Sequence, residues 1–162
     1  MLNGIFSIND IDMDIVAKAK VVFVIGTFLM STFDGEQTAT FLKKCKELGK
    51  TAVLDVCWDS KGQWRKLLDH AFKYIDIFMP SIDEAREISN EENVCNMAER
   101  FIEFGVKSVV IKCGDDGCYV KESRDKEGYI VPVFKVKSVI DTTARETVFA
   151  RDFWQHTQKD WI

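Results

Sequence analysis

Short apolar runs alternate with helix-like stretches along much of this chain. The runs are bounded by polar residues or glycine, as is typical of strands that are buried on both faces of a sheet. They cover residues 21–25, 51–56, 75–79 and 108–112. A strand–helix–strand order repeated in this way predicts an α/β fold, in which helices flank a mostly parallel sheet.

The stretches between these runs carry signals for the start and end of helices. Asp34, followed three positions later by Gln37, predicts an N-cap at Asp34, and Gly49 predicts the end of the same helix. Further helices are predicted over residues 64–72, 82–89 and 94–104, from apolar side chains at helical spacing.

The pattern changes after Lys112. The segment Gly-Asp-Asp-Gly at 114–117 predicts a turn, and residues 118–120 and 129–133 predict two antiparallel strands around a polar loop. The sheet should therefore be parallel over its first strands and antiparallel at its C-terminal edge.

The composition predicts a folded cytoplasmic protein. Apolar residues make up 46% and charged residues 30% of the 162 positions, a balance that excludes a disordered chain. A formal charge of -4 provides no basic surface for nucleic acid, and the longest apolar run is too short to cross a bilayer. The N-terminus lacks the pattern of a signal peptide.

The cysteines argue against a disulfide framework and against a zinc site. Their number, five, is odd, and they contain no Cys-x-x-Cys pair. We expect reduced thiols at Cys45, Cys57, Cys95, Cys113 and Cys118.

Two turns that follow predicted strands are candidate ligand sites, since ligands gather at the carboxyl edge of a parallel sheet. Ser81 and Glu84 form the pattern of a helix capping box, although Glu84 could instead hold Mg²⁺ through a water molecule. Gly114 and Gly117 suit either close approach of the backbone to a ligand or a plain tight turn.

The remaining polar candidates form no recognisable catalytic set. Asp55, Asp59 and the two histidines, His70 and His156, complete no triad and no paired-carboxylate spacing. We interpret most of them as surface or capping groups.

Four stretches, taken in order, carry a resemblance to a known family. They are Phe28-Leu29-Met30 with Asp34-Gly35, Leu54-Asp55 with Trp58 and Trp64, residues 76–85, and residues 109–117 with 139–143. Together they resemble the ribokinase-like (PfkB) carbohydrate kinases, over nearly all of the chain from Ile11 to Thr143. The family's Asn-x-x-Glu motif falls on residues 81–84, where Ser81 replaces the asparagine and Glu84 is retained.

The resemblance implies a phosphoryl transfer from ATP to a sugar hydroxyl, together with roles for several positions. Lys112, Gly114 and Gly117 would border the nucleotide, and Glu84 would help to organise Mg²⁺ through water. The backbone at Asp141 and Thr143 would lie near a monovalent cation such as K⁺.

The chain departs from the family at residues 144–147. The family signature continues there as Gly-Ala-Gly-Asp, whose glycine amides form an anion hole and whose aspartate is the catalytic base. This chain has Ala-Arg-Glu-Thr instead, so that Thr147 occupies the position of the base. Since threonine is no general base at neutral pH, we assign no catalytic residue.

The codons of the tail offer an explanation for this departure. Read one nucleotide earlier, codons possible for this tail can encode Gly-Ala-Gly-Asp and the residues that follow it in the family. We therefore interpret residues 144–162 as an atypical tail arising from a frameshift, and residues 1–143 as a partial α/β domain. DNA sequence across codon 143 that cannot encode the alternative would contradict this interpretation.

These features predict a sugar-kinase fragment without turnover of its own. Family members place most of the sugar site before the strand at 21–25, so we expect sugar binding to be lost and apolar surfaces to be covered in a homo-oligomer. Two alternatives stay open: a nucleotide-binding or interaction module, and half of a split kinase completed by another chain.

Overall fold

The computed structural model describes residues 5–133 of the chain. It contains one six-stranded sheet with the strands in sequential order, β1 to β6. Strands β1 to β4 are parallel, and β5 and β6 are antiparallel to their neighbours, as predicted. The strands are β1 (Val21–Thr27), β2 (Thr51–Val56), β3 (Ile77–Phe78), β4 (Ser108–Lys112), β5 (Cys118–Lys121) and β6 (Tyr129–Val131).

Five α-helices connect or precede these strands: α1 (Met13–Lys18), α2 (Glu36–Glu47), α3 (Trp64–Leu68), α4 (Ile82–Ser89) and α5 (Val94–Phe104). The predicted helices at 82–89 and 94–104 are confirmed. None of the helices in the described part of the chain is long and apolar enough to span a bilayer.

The predicted helix at 64–72 is wrong in its second half. Helix α3 ends at Leu68, and a 3₁₀ turn follows at Phe72–Tyr74. This change of path places Phe72, which is 1% exposed, against the rings of Phe78 and Phe101 in the core.

Asp34 does not cap helix α2, so the predicted N-cap is also wrong. The N-cap is Gly35, at φ +84, and it makes no side-chain hydrogen bond. The Asp34 carboxylate instead accepts hydrogen bonds from the backbone N–H groups of Phe28 and Met30, both at 3.0 Å. It therefore shapes the loop after β1.

The predicted end of α2 at Gly49 is confirmed. The Gly49 N–H donates to the Lys46 carbonyl and the Lys50 N–H to the Cys45 carbonyl, both at 2.9 Å. This is the Schellman arrangement, which places a glycine of positive φ just beyond the helix.

Two strands are shorter than predicted. Strand β3 covers only Ile77–Phe78, although the N–H groups of Asp76 and Met79 still donate to β2 carbonyls. Strand β6 ends at Val131 because Pro132, the next residue, has no N–H to donate.

The described helices pack on one face of the sheet. Since each parallel connection leads to the next strand in the same direction and such crossovers are right-handed, successive helices fall on the same side. The main core lies between these helices and the sheet. On the other face, the buried cluster of described residues consists of side chains from the sheet: Val53, Ile77, Met79, Val110, Cys118 and Val120.

Candidate functional site

The predicted site residues within the described chain meet at the carboxyl edge of the sheet. The loops after β3 and β4 lie side by side there, because these strands are parallel neighbours. Ser81 forms a parallel bridge with Lys112, and the Lys112 N–H donates to the Pro80 carbonyl at 2.9 Å. The structure therefore brings the segment containing Glu84 next to the segment containing Gly114 and Gly117, as ligand binding at this edge requires.

The turn after β4 is built from two glycines with different surroundings. Gly114 has a φ of +60, and a Cβ at this position would meet no heavy atom of the described residues within 4 Å. Gly117 has a φ of +91, and a Cβ there would lie 2.0 Å from the Val131 carbonyl oxygen. Packing against the end of β6 therefore requires a glycine at 117, whereas no atom of residues 5–133 crowds the position that a side chain at 114 would take.

This turn is closed by its own backbone. The Cys113 N–H donates to the Gly117 carbonyl at 2.8 Å, and the Gly117 N–H donates to the Gly114 carbonyl at 3.2 Å. Burial raises the pKa of the Cys113 thiol, and nearby Asp116 raises it further. A raised pKa disfavours the reactive thiolate form.

Lys112 is held by a carboxylate that lies far away in sequence. Its Nζ donates to both Asp55 carboxylate oxygens, at 2.8 and 2.9 Å. The Lys112 side chain is 13% exposed and the Asp55 side chain 7%. Asp55 is therefore an exception to the interpretation of most of these polar residues as surface or capping groups.

A sequence signal for this ion pair exists but is weak. Asp55 and Lys112 each sit near the carboxyl end of a buried strand. Opposite charges at such positions on two parallel strands can meet at one edge of the sheet. The sequence alone does not show which strands are close enough.

Asp59 is a capping group, as interpreted. Its carboxylate accepts hydrogen bonds from the backbone N–H groups of Lys61, Gln63 and Trp64, the first at 2.9 Å and the last at 2.7 Å. These bonds hold the start of α3, where Trp64 has a φ of +26.

An aromatic cluster beside the ends of β1 and β2 was not predicted. It consists of Phe28, Trp58 and Trp64, with ring centroids 5.4 Å apart for Phe28 and Trp64 and 5.0 Å apart for the two tryptophans. Phe28 has a φ of +79, which is unusual for a bulky residue. Trp58 is 55% exposed, so part of the cluster faces solvent.

Glu84 forms the predicted capping box. The Ser81 Oγ accepts from the Glu84 N–H at 3.3 Å, and the Ser81 N–H donates to the Glu84 carboxylate at 2.7 Å. Among the described residues, no group of three or more His, Cys, Asp or Glu side chains could hold a metal ion. Glu84 alone is therefore not a complete Mg²⁺ site, and its magnesium role stays a prediction.

The other predicted site residues lie outside the described residues. They are Asp141 and Thr143 of the predicted cation site, and Thr147 at the position of the base. The five cysteines, which all fall within 5–133, are free thiols. Burial raises the pKa of both Cys45 and Cys118 to about 11.

Comparisons with known proteins identify the sequence family. The profile of the pfkB family carbohydrate kinases matches residues 6–144. The 5-dehydro-2-deoxygluconokinase of Clostridium perfringens is 30% identical over 152 residues, which cover 83% of this chain and 44% of that protein.

Solved structures extend the likeness to the fold. The ribokinase of Thermotoga maritima has a TM-score of 0.70 and 26% identity, over 91% of this chain and 46% of that chain. The ribokinase of Arabidopsis thaliana, solved with ribose and ATP, has a TM-score of 0.70 at 20% identity, over 89% of this chain and 45% of that chain, and shows the fold alone. The chain spans less than half the length of these relatives. Since the family profile covers most of its residues, the chain belongs to the pfkB family of carbohydrate kinases.

Proposed function

We propose that this chain is the nucleotide side of an ATP-dependent sugar kinase, and that it binds ATP at the turn after β4. In the complete kinase, ATP supplies the phosphoryl group and a sugar hydroxyl receives it. Lys112, Gly114 and Gly117 are the residues proposed to border the nucleotide.

One observation carries this proposal. Lys112 and Gly114, whose Cβ position no described residue crowds, lie at the carboxyl edge of a mainly parallel sheet, where α/β folds bind ligands. The fold is shared with the Arabidopsis thaliana ribokinase, which was solved with ATP.

We also propose that the chain has no turnover alone. Phosphoryl transfer depends on positioning and on stabilisation of charge in the transition state. The sequence at 144–147 supplies neither the glycine amides nor the aspartate of the family signature. The magnesium role of Glu84 and the cation role of Asp141 and Thr143 belong to the same proposal.

The first test is the thermal midpoint of the purified chain with and without Mg-ATP. A ligand at one hundred times its Kd stabilises the folded state by about 2.7 kcal/mol, which raises Tm by roughly 5 to 10 °C at this size. Magnesium chloride alone and magnesium tripolyphosphate are the controls, because neither contains the nucleoside. No shift with Mg-ATP at millimolar concentration would contradict nucleotide binding.

The same preparation should not phosphorylate sugars. A coupled assay for ADP, with hexoses and keto-deoxy sugar acids as acceptors, should give no signal above the ATP background. Sugar-dependent ADP release by the chain alone would contradict the proposed lack of turnover.

A second candidate function is half of a split kinase. The chain spans only 44% of the length of the Clostridium perfringens relative, and this partial coverage favours the second candidate. Turnover that appears only on mixing with the product of an adjacent reading frame would support it.

A further inference from the structure

Lys112 connects the turn after β4 to the segment after β3 and to the end of strand β2. Its backbone N–H bonds to Pro80 after β3, and its side chain bonds to Asp55 near the end of β2. The turn at 113–117 begins with the next residue along the chain. A shift of the Lys112 side chain would therefore be transmitted directly to the turn that we propose for nucleotide binding.

The Asp55–Lys112 pair spans a strand. Strands β2 and β4 each pair with β3 and not with one another, so their axes are about 9.6 Å apart. Only a long side chain can cross this distance, and the lysine side chain does so along the face opposite the helices. The contact is therefore a tie between non-adjacent strands and cannot be replaced by backbone pairing.

Burial makes this tie sensitive to the loss of either partner. With 13% of Lys112 and 7% of Asp55 exposed, water cannot fully solvate either charge alone. An ammonium that loses the Asp55 carboxylate in such a place moves toward solvent or toward other acceptors. Either movement would displace the start of the 113–117 turn.

We propose that Asp55 is a positioning residue for nucleotide binding: it fixes the Lys112 ammonium and, through Lys112, the turn after β4. Asp55 itself touches no nucleotide in this scheme. The inference rests on the proposed function for its effect on affinity, but the tie between Asp55 and the turn can be measured without any ligand.

The ligand-free test is amide hydrogen exchange on the full chain. Asp55→Asn should raise the exchange rates of the Cys113 and Gly117 amides about tenfold, because both amides close the turn. The matched control is Asp76→Asn, which breaks the ion pairs of Asp76 with Lys46 and Lys107 at the opposite, amino edge of the sheet. In that variant, exchange of the Cys113 and Gly117 amides should change no more than the change in global stability explains.

The two variants separate positioning from simple loss of stability. Equal exchange of the Cys113 and Gly117 amides in both variants, after scaling to global stability, would overturn the proposal. If Asp55→Asn fails to fold, the double variant Asp55→Leu with Lys112→Met replaces the buried charges by an apolar pair. This variant should fold, and its Cys113 and Gly117 amides should still exchange about tenfold faster than in the wild-type chain. Exchange as slow as in the wild-type chain would contradict the proposed role of the Asp55–Lys112 ion pair.

The affinity test uses isothermal titration with Mg-ATP and with AMP. If Asp55 acts through position, Asp55→Asn should weaken both ligands by a similar factor of about ten, and Asp76→Asn should weaken neither. Unchanged affinity in Asp55→Asn, or a loss confined to ATP, would overturn the positioning role. If the wild-type chain binds no nucleotide, the proposed function fails, while the exchange experiment still decides whether Asp55 holds the turn.

Discussion

Asp76 lies at the amino edge of the sheet, opposite Asp55, and its surroundings control its ionisation. Burial alone would raise the pKa of Asp76, but hydrogen bonds from the Ala52 amide, Lys107 and Lys46 together outweigh it and lower the pKa. The folded state thus favours the charged carboxylate, with Nζ of Lys46 at 2.5 Å and Nζ of Lys107 at 2.8 Å.

This lowered pKa predicts an acid-dependent loss of stability. A carboxylate whose pKa is lower in the folded state than in the unfolded state stabilises the fold at a pH above the unfolded-state pKa. This stabilisation disappears as the pH falls through the folded-state pKa. Asp76→Asn should therefore lower the free energy of unfolding by about 1 to 3 kcal/mol at pH 7, and by progressively less below about pH 4. Urea unfolding at pH 7 and pH 3 measures the difference.

The control for this prediction is Asp83→Asn. Asp83 pairs with Arg86 on the surface, where its side chain is 68% exposed, so its removal should change stability by less than about 1 kcal/mol at either pH. A loss for Asp76→Asn that is the same at both pH values would contradict the role given to its charge.

At the scale of elements, two helices end at glycines of positive φ with different neighbours. Gly49 follows α2 with a φ of +70, and a Cβ there would meet no atom of residues 5–133 within 4 Å. Gly105 follows α5 with a φ of +108, and a Cβ would lie 3.2 Å from the Lys73 Cα. Both positions favour glycine for conformation, but among the described residues only the Cβ position at Gly105 is also crowded by a neighbour.

Alanine substitutions should separate these two causes. Gly49→Ala should cost about 1 kcal/mol from its backbone conformation, whereas Gly105→Ala should cost about 2 to 4 kcal/mol because the backbone of Lys73 must also move. Thermal or urea unfolding of the two variants provides the comparison. Equal losses would show that the contact with Lys73 is relieved at no energetic cost.

At the scale of the whole molecule, the last strand of the described sheet presents apolar side chains to solvent. In β6, Tyr129 is 47%, Ile130 63% and Val131 40% exposed. Among the described strands β6 is the outermost on its side of the sheet, and an exposed apolar outer strand is a common site of association between chains. It supports the expectation of a homo-oligomer, which stays a prediction.

Sedimentation velocity tests this prediction. At tens of micromolar the chain should sediment as a dimer or a larger species, and Ile130→Lys should shift it toward the monomer. The control is Leu48→Lys, since Leu48 is 46% exposed but lies at the end of α2, away from β6. A monomer at these concentrations would contradict the expected association.

Much of the fold could be predicted from neighbours in sequence. Period-two and period-3.6 patterns depend on side chains a few residues apart. The strands, helices α4 and α5, and the end of α2 at Gly49 could therefore be predicted from the sequence. The capping box of Ser81 and Glu84 is local for the same reason. The N-cap prediction at Asp34 was wrong because a competing local contact, with the backbone of Phe28 and Met30 in the preceding loop, took the carboxylate. The second half of 64–72 was wrong because Phe72 packs against the distant rings of Phe78 and Phe101.

The sequence by itself determined the family and the order of the elements, because motifs and periodicity are properties of the chain. Only the tertiary structure decided which charges meet. Asp55 and Lys112 are 57 positions apart, and their contact depends on β2 and β4 lying on either side of β3. Because both side chains are largely buried, each charge needs a partner in the protein to replace the water that it has lost.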